Sequence, residues 1–89
     1  MQEATVVITD PMGLHARPAA LLVQTAGQFK SQVHLYLAEK DRRADARSIM
    51  QLLNLGVREG DTLKIITEGD EAKEALAAIL AVMVGTAVS

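Results

Sequence analysis

Apolar and polar residues alternate along four short stretches of the chain, and between these stretches the apolar spacing changes to three and four residues. Strict alternation predicts β-strands over residues 4–9, 33–38, 43–46 and 62–67. The longer spacing predicts helices that begin at Ala16, at Ser48 and just after Asp70. Glycines at 27, 56 and 85 follow the three helical stretches and mark their ends. The predicted order is therefore β-α-β-β-α-β-α.

Each predicted strand has one more apolar face, and each predicted helix has one apolar stripe. The inward strand positions are Val6, Ile8, Val33, Leu35, Leu37, Leu63 and Ile65. The clearest helical stripe consists of Ala72, Ala75, Leu76, Ile79, Leu80 and Met83. This pattern predicts an α+β fold, with a four-stranded antiparallel sheet and three helices on one face. A ferredoxin-like small-ligand domain is the alternative, and the short helix after the third strand favours the first arrangement.

Length and composition restrict the kind of protein. The chain has 89 residues, which fits a single domain over residues 1–89. Its net charge of −2 and its aromatic content of 2% argue against a nucleic-acid binder, which needs basic and stacking side chains. It has no cysteine, so disulfides and thiolate metal sites are excluded. We expect a cytoplasmic protein with no membrane association, no cofactor and no metal.

The junction between the first strand and the first helix carries the candidate chemistry. It reads Gly-Leu-His-Ala-Arg-Pro-Ala-Ala over residues 13–20. A helix N-terminus offers unpaired backbone N–H groups and a positive dipole end, so it attracts anions. Neutral imidazole is a nucleophile near pH 7, and Arg17 adds charge-assisted contacts to phosphate oxygens. His15 would accept a phosphoryl group, and the N–H groups of Ala16 and Arg17 would bind it. The helix dipole would stabilise the dianionic product by about 0.3 to 2 kcal/mol.

Two motifs together resemble one known family. The first is Gly-Leu-His-Ala-Arg-Pro-Ala at the strand-to-helix junction, and the second is Ser-Ile-Met over residues 48–50 at the start of the short helix. Both are similar to signatures of the HPr family, the histidine phosphocarriers of the bacterial phosphoenolpyruvate-dependent sugar phosphotransferase system. Gly60, Asp61 and Gly69 also fall where that family has them, and the resemblance covers residues 4–84. It implies an open-faced β-sandwich, in agreement with the pattern of strands and helices.

The resemblance implies a function for the junction. A member of this family is a carrier and not an enzyme: it accepts a phosphoryl group from enzyme I, which is charged by phosphoenolpyruvate, and passes it to the A domains of sugar permeases. His15 would be phosphorylated at Nδ1, the pros nitrogen, with Arg17 beside it. The residues that match the family's docking surface are Ala16, Ala20, Gln24, Gly27, Ile49, Met50 and Leu53. We expect part of the apolar surface of the short helix to be exposed for such contacts, and we expect a monomer.

Other interpretations remain open. Ser48 would cap the short helix, and in some bacteria the matching serine is phosphorylated by an ATP-dependent kinase, so a serine kinase/phosphorylase and transcriptional regulators are further candidate partners. In that case the chain would be a regulatory binding module. The sequence Leu-Leu-Asn-Leu over residues 52–55 and the alanine-rich last helix are also similar to the nitrogen-related branch of the family, which serves a regulatory phosphorelay. His34 alternates with inward residues, so we predict that it points away from the core and assign it no function.

Overall fold

The computed structural model describes residues 1–83 and 87–88. The strands are β1 (Gln2–Ile8), β2 (Gln32–Leu37), β3 (Arg42–Asp45), β4 (Thr62–Glu68) and β5 (Ala87–Val88). The helices are α1 (Ala16–Ala26), α2 (Ile49–Asn54) and α3 (Ala72–Met83). The predicted end of the last helix at Gly85 lies outside the described residues.

The strands form one antiparallel sheet in the order β3-β2-β4-β1-β5. β4 is the middle strand of the five, and its residue Ile65 pairs with Ala4 of β1 on one side and with Leu35 of β2 on the other. The predicted α+β fold of four antiparallel strands and three helices is confirmed. The two-residue strand β5, which pairs with Val7 and Ile8, adds an edge that the hydrophobic pattern did not predict.

The core lies between the sheet and the helices, and the residues that the alternation placed inward form its sheet side. Every predicted inward strand position is buried. Helix α1 contributes Pro18, Ala19, Leu22 and Ala26, and α3 contributes Ala72, Ala75, Ile79 and Met83. Leu76 and Leu80 are partly buried against the same cluster. Because aromatic residues are scarce, this interior is filled by aliphatic side chains.

The predicted charged turn over residues 39–43 is more ordered than the sequence indicates. A 3₁₀ turn over Ala38–Lys40 follows β2, and Asp41 then adopts a left-handed backbone with φ of 50°. The phenol of Tyr36 donates to the Asp41 carboxylate at 2.7 Å, and this bond raises the pKa of Tyr36. β3 consequently begins at Arg42, one residue before the predicted start.

No helix in the described part of the chain is long and apolar enough to span a bilayer.

Candidate functional site

His15 is the N-cap residue of α1. Its backbone is extended, with φ of −97° and ψ of −175°, and its carbonyl accepts from the N–H of Ala19 at 3.1 Å. The helix therefore begins at the next residue, as the change in apolar spacing predicts. The side chain makes no capping hydrogen bond to the helix, and 28% of it is exposed. The ring lies at the surface of the helix end rather than inside the hydrophobic core.

The first turn of α1 leaves backbone donors free. Intrahelical bonding starts with the N–H of Ala19, and Pro18 has no N–H. The N–H groups of Ala16 and Arg17 are consequently without a backbone acceptor within the described residues. Both residues are exposed, whereas Pro18 is buried and fixes this turn against the core. The two donors next to His15 are thus open to an incoming anion.

Gly13 determines how the chain enters this helix. Its φ is +66°, a left-handed backbone that glycine adopts without steric cost. A Cβ at this position would lie 2.2 Å from the carbonyl oxygen of Val57. The N–H of the next residue, Leu14, donates to the same oxygen at 3.4 Å, and Leu14 is buried. The glycine therefore lets the loop pack against the segment after α2, and this packing determines the position of His15.

A carboxylate that neither motif includes contacts the histidine. Oδ2 of Asp10 lies 3.2 Å from Nε2 of His15, and Oδ1 accepts from the N–H of Met12 at 2.8 Å. The hydrogen bond from Met12 is the largest effect on the Asp10 carboxyl and holds its pKa below the ordinary value of 3.8. Desolvation is the next effect and opposes this shift, and the contact with the His15 ring lowers the pKa further. Asp10 is five residues before His15, and an aspartate at the first position of a turn is the signal that would have identified it.

Arg17 extends into solvent from the first turn. Its guanidinium makes no hydrogen bond or ion pair with any residue that the structure describes. Its guanidinium is therefore free to bind an anion at the helix end. By contrast, Arg47 is held in place, because it donates to the carbonyls of Phe29 and Ser31, the latter at 2.7 Å.

The predicted docking residues lie on the exposed sides of two helices. Ala16, Ala20 and Gln24 repeat every four residues along α1, and all three are exposed, as is Gly27 after the helix. Helix α2 contacts α1 and buries Leu52 completely. Its other apolar side chains stay exposed, at 37% for Ile49, 63% for Met50 and 38% for Leu53. The predicted exposure of apolar surface on this helix is confirmed.

Ser48 and His34 occupy the places predicted for them. Ser48 is the N-cap of α2, and its Oγ accepts from the N–H of Gln51 at 3.3 Å. His34 is half-buried on the sheet face opposite to the inward residues Val33 and Leu35, and it pairs in register with Asp45 and Ile66. His15 is thus the histidine at the helix end, and His34 lies on the sheet.

The chain is similar to known proteins in both sequence and fold. Residues 2–84 match the family model described as "PTS HPr component phosphorylation site". The chain is 42% identical over 81 residues to the phosphocarrier protein HPr of Mycoplasma genitalium, and the match covers 91% of each protein. It is similar to the crystal structure of HPr-C-His from Thermoanaerobacter tengcongensis, with 41% identity, a TM-score of 0.86 and coverage of 96% of this chain and 93% of the other. A crystal structure of an HPr dimer from the same organism matches with 41% identity, a TM-score of 0.73 and coverage of 96% and 95%.

Proposed function

The chain belongs to the HPr family of phosphocarrier proteins of the phosphotransferase system, and from this we propose that His15 is the residue that carries the phosphoryl group. Proteins of this family are carriers and not enzymes, so the chain needs one nucleophile that is accessible to both a donor and an acceptor. The observation that supports His15 most directly is its position. Its partly exposed ring lies at the N-cap of α1, next to the N–H groups of Ala16 and Arg17, which have no backbone acceptor in the part of the chain that the structure describes.

Transfer onto His15 exchanges one phosphorus–nitrogen bond for another. The donor in this proposal is enzyme I, phosphorylated on a histidine at the expense of phosphoenolpyruvate. The lone pair of Nδ1 of His15 attacks the phosphorus atom, and the bond between phosphorus and the donor nitrogen breaks. That electron pair returns to the donor ring. The product is a phosphohistidine on this chain, and the same exchange in the opposite sense passes the group to the A domain of a sugar permease.

The helix end stabilises the product without holding it tightly. The N–H groups of Ala16 and Arg17 and the guanidinium of Arg17 face an anion with donors and positive charge. All of them are exposed, so water screens the charges. A weak phosphate site suits a carrier, because strong binding of the phosphoryl group would slow its onward transfer.

We assign docking of donor and acceptors to the exposed residues of α1 and α2. These are Ala16, Ala20, Gln24, Gly27, Ile49, Met50 and Leu53. The apolar side chains on α2 would supply the buried centre of a small, transient interface. Methionine in such a patch adapts to partners of different shape, which a carrier with one donor and several acceptors requires. The acceptors are A domains of sugar permeases or, in the alternative, the components of a nitrogen-related phosphorelay.

We also propose that phosphorylation of Ser48 regulates this docking. Its hydroxyl already accepts a hydrogen bond at the start of α2, next to exposed Ile49 and Met50. A phosphate there would add negative charge beside the apolar patch and repel acidic partners without unfolding the domain. A serine kinase/phosphorylase and transcriptional regulators are the partners that such a modification implies. The carrier cycle itself would take place in the cytoplasm, with the chain as a monomer, although one relative has been crystallised as a dimer.

The test uses the two histidines of the chain as a matched pair. The wild type, His15→Ala and His34→Ala are each incubated with enzyme I and phosphoenolpyruvate. We expect one acid-labile phosphate per chain in the wild type and in His34→Ala, and none in His15→Ala. Equal labelling of His15→Ala, or acid-stable phosphate in all three proteins, would contradict the proposal. Acid-stable phosphate that requires ATP and a kinase, and that disappears in Ser48→Ala, would identify the regulatory modification.

A further inference from the structure

The turn before α1 places a carboxylate against the histidine, and neither the family motif nor the comparisons assign that carboxylate a role. We propose that Asp10 is a positioning residue that holds the His15 ring with its proton on Nε2 and leaves Nδ1 as the nucleophile. This inference rests on the proposed function of His15. It concerns which ring nitrogen reacts and how readily, and not whether the chain is a carrier.

The Asp10 side chain is fixed by the turn in which it lies. Its Oδ1 accepts from the N–H of Met12 at 2.8 Å, and its own carbonyl accepts from the N–H of Gly13 at 2.8 Å. Gly13 is in turn held against Val57 by a contact that leaves no room for a Cβ. With one carboxylate oxygen engaged in the turn, the other is directed to Nε2 of His15 at 3.2 Å. The histidine thus meets a carboxylate whose position the backbone determines.

The charge of Asp10 decides which tautomer this contact favours. The pKa of its carboxyl is lowered, first by the hydrogen bond from Met12, so the group is ionised at neutral pH. An ionised carboxylate only accepts hydrogen bonds. A neutral imidazole that contacts it through Nε2 must therefore donate from Nε2, and its lone pair is then on Nδ1. No residue in the described part of the chain hydrogen-bonds to Nδ1.

The same contact helps during transfer. When the lone pair of Nδ1 forms the bond to phosphorus, the ring keeps its proton on Nε2 and gains positive charge. The carboxylate then faces a cationic ring, and the hydrogen bond between Nε2 and Oδ2 strengthens. The aspartate of a catalytic triad orients and stabilises an imidazole in this way. The Asp10 and His15 side chains are 23% and 28% exposed, so solvent limits the effect and the phosphoryl group remains transferable.

Three substitutions distinguish the effect of the contact between Asp10 and the His15 ring from the effect of the hydrogen bond that Asp10 accepts within the turn. Asp10→Asn keeps an oxygen for the N–H of Met12 but presents an amide N–H group to His15, which favours the opposite tautomer. Asp10→Ser keeps an acceptor for the turn and no longer reaches the ring. Asp61→Asn is the matched control, since Oδ2 of Asp61 also accepts a backbone N–H, that of Arg58 at 2.8 Å, and this bond also lowers its pKa. Among the described residues, Asp61 makes no hydrogen bond or ion pair with His15.

Two readouts are measured for each protein. The ¹⁵N chemical shifts of the His15 ring report which nitrogen carries the proton. They are recorded on the unphosphorylated protein, at a pH above the titration range of histidine. The initial rate of charging by phosphorylated enzyme I reports reactivity. We expect the proton on Nε2 in the wild type and in Asp61→Asn, a shift toward Nδ1 in Asp10→Asn, and charging of Asp10→Asn slowed by about tenfold. Asp10→Ser is expected to charge at a rate between those of the wild type and Asp10→Asn.

The inference is overturned if Asp10→Asn keeps the wild-type ring shifts, if it charges at the wild-type rate, or if Asp61→Asn slows charging as much. A wild type that is never charged would instead contradict the proposed function, and the ring shifts would still show whether Asp10 selects the tautomer. The two failures are thus distinguishable.

Discussion

The chemistry of the site depends on how individual residues around His15 are held. Gly13 lets the chain turn with a left-handed backbone against the carbonyl of Val57, and Asp10 closes the same turn with its side chain. The sequence was sufficient to predict that His15 and Arg17 lie at the start of α1 and that Ser48 caps α2. It did not predict the contact between Asp10 and His15, because that contact depends on the path of the turn and not on any spacing along one element.

Replacement of Gly13 by alanine should destabilise the fold strongly. The added methyl would meet the Val57 carbonyl oxygen at 2.2 Å, in addition to the cost of a left-handed backbone. We expect a loss of at least about 2 kcal/mol in the free energy of unfolding, measured with urea. Gly60→Ala is the control, since Gly60 has φ of +90° with no atom within 4 Å, and it should lose only about 1 kcal/mol. Equal losses for the two variants would show that the close approach at Gly13 is unimportant.

The two arginines near the helix ends should behave in opposite ways. Arg17→Ala should slow charging by phosphorylated enzyme I by roughly tenfold, which corresponds to one lost charge-assisted contact, and leave the melting temperature unchanged. Arg47→Ala should lower the melting temperature, because Arg47 holds the carbonyls of Phe29 and Ser31. Charging rates and thermal melting of both variants check this. A drop in the melting temperature of Arg17→Ala as large as that of Arg47→Ala would contradict it.

At the scale of elements, α2 shows how a short helix serves both the core and the surface. Six residues make less than two turns, so propensity alone does not stabilise such a helix in water. It is anchored by the buried side chain of Leu52 and capped by Ser48. The sequence predicted that apolar residues surrounding most of this helix cannot all be buried, and the structure resolves which ones: Leu52 faces the core, while Ile49, Met50 and Leu53 remain exposed.

A pair of alanine substitutions on α2 should separate stability from docking. Leu52→Ala is expected to lower the free energy of unfolding by about 2 to 5 kcal/mol, since it opens a cavity in the core. Met50→Ala should change it by less than about 0.5 kcal/mol and instead raise the KM of enzyme I for this carrier. Urea denaturation and steady-state charging distinguish the two effects. If Met50→Ala had the same KM as the wild type, Met50 would not belong to the proposed docking surface.

On the scale of the whole molecule, alternation and helical spacing predicted the element order and the core because each element has one apolar side. Local pattern does not specify which strands are neighbours, so the order of the sheet and the pairing of β5 with β1 come from the structure. The same is true of the ordered 3₁₀ turn at Ala38–Lys40, where charged residues offer no periodicity. The resemblance in sequence covers nearly the same residues, 4–84, as the family match over residues 2–84.

Two turn carboxylates should make stability depend on acidity. The folded-state pKa values of Asp10 and Asp61 lie below 3.8, mainly because each carboxylate accepts a backbone N–H. Ionised carboxylates therefore favour folding above pH 3.8, and this contribution is lost as the pH falls through the lower, folded-state values. We expect the melting temperature of Asp61→Asn to lie below that of the wild type at pH 7, and the difference to shrink in strong acid. A difference that grows as the pH falls would have the wrong sign for this explanation.

The most direct test is which atom carries the phosphoryl group in the phosphorylated protein. The chain, labelled with ¹⁵N in its histidines, is charged by enzyme I and phosphoenolpyruvate, and its ³¹P–¹⁵N coupling is recorded at neutral pH. We predict a single phosphorus coupled to Nδ1 of His15, with the proton retained on Nε2. Phosphorus on His34 or on an oxygen atom would contradict the claim that the imidazole at the start of α1 is the carrier. Phosphorus on Nε2 of His15 would contradict the claim that Nδ1 is the nucleophile.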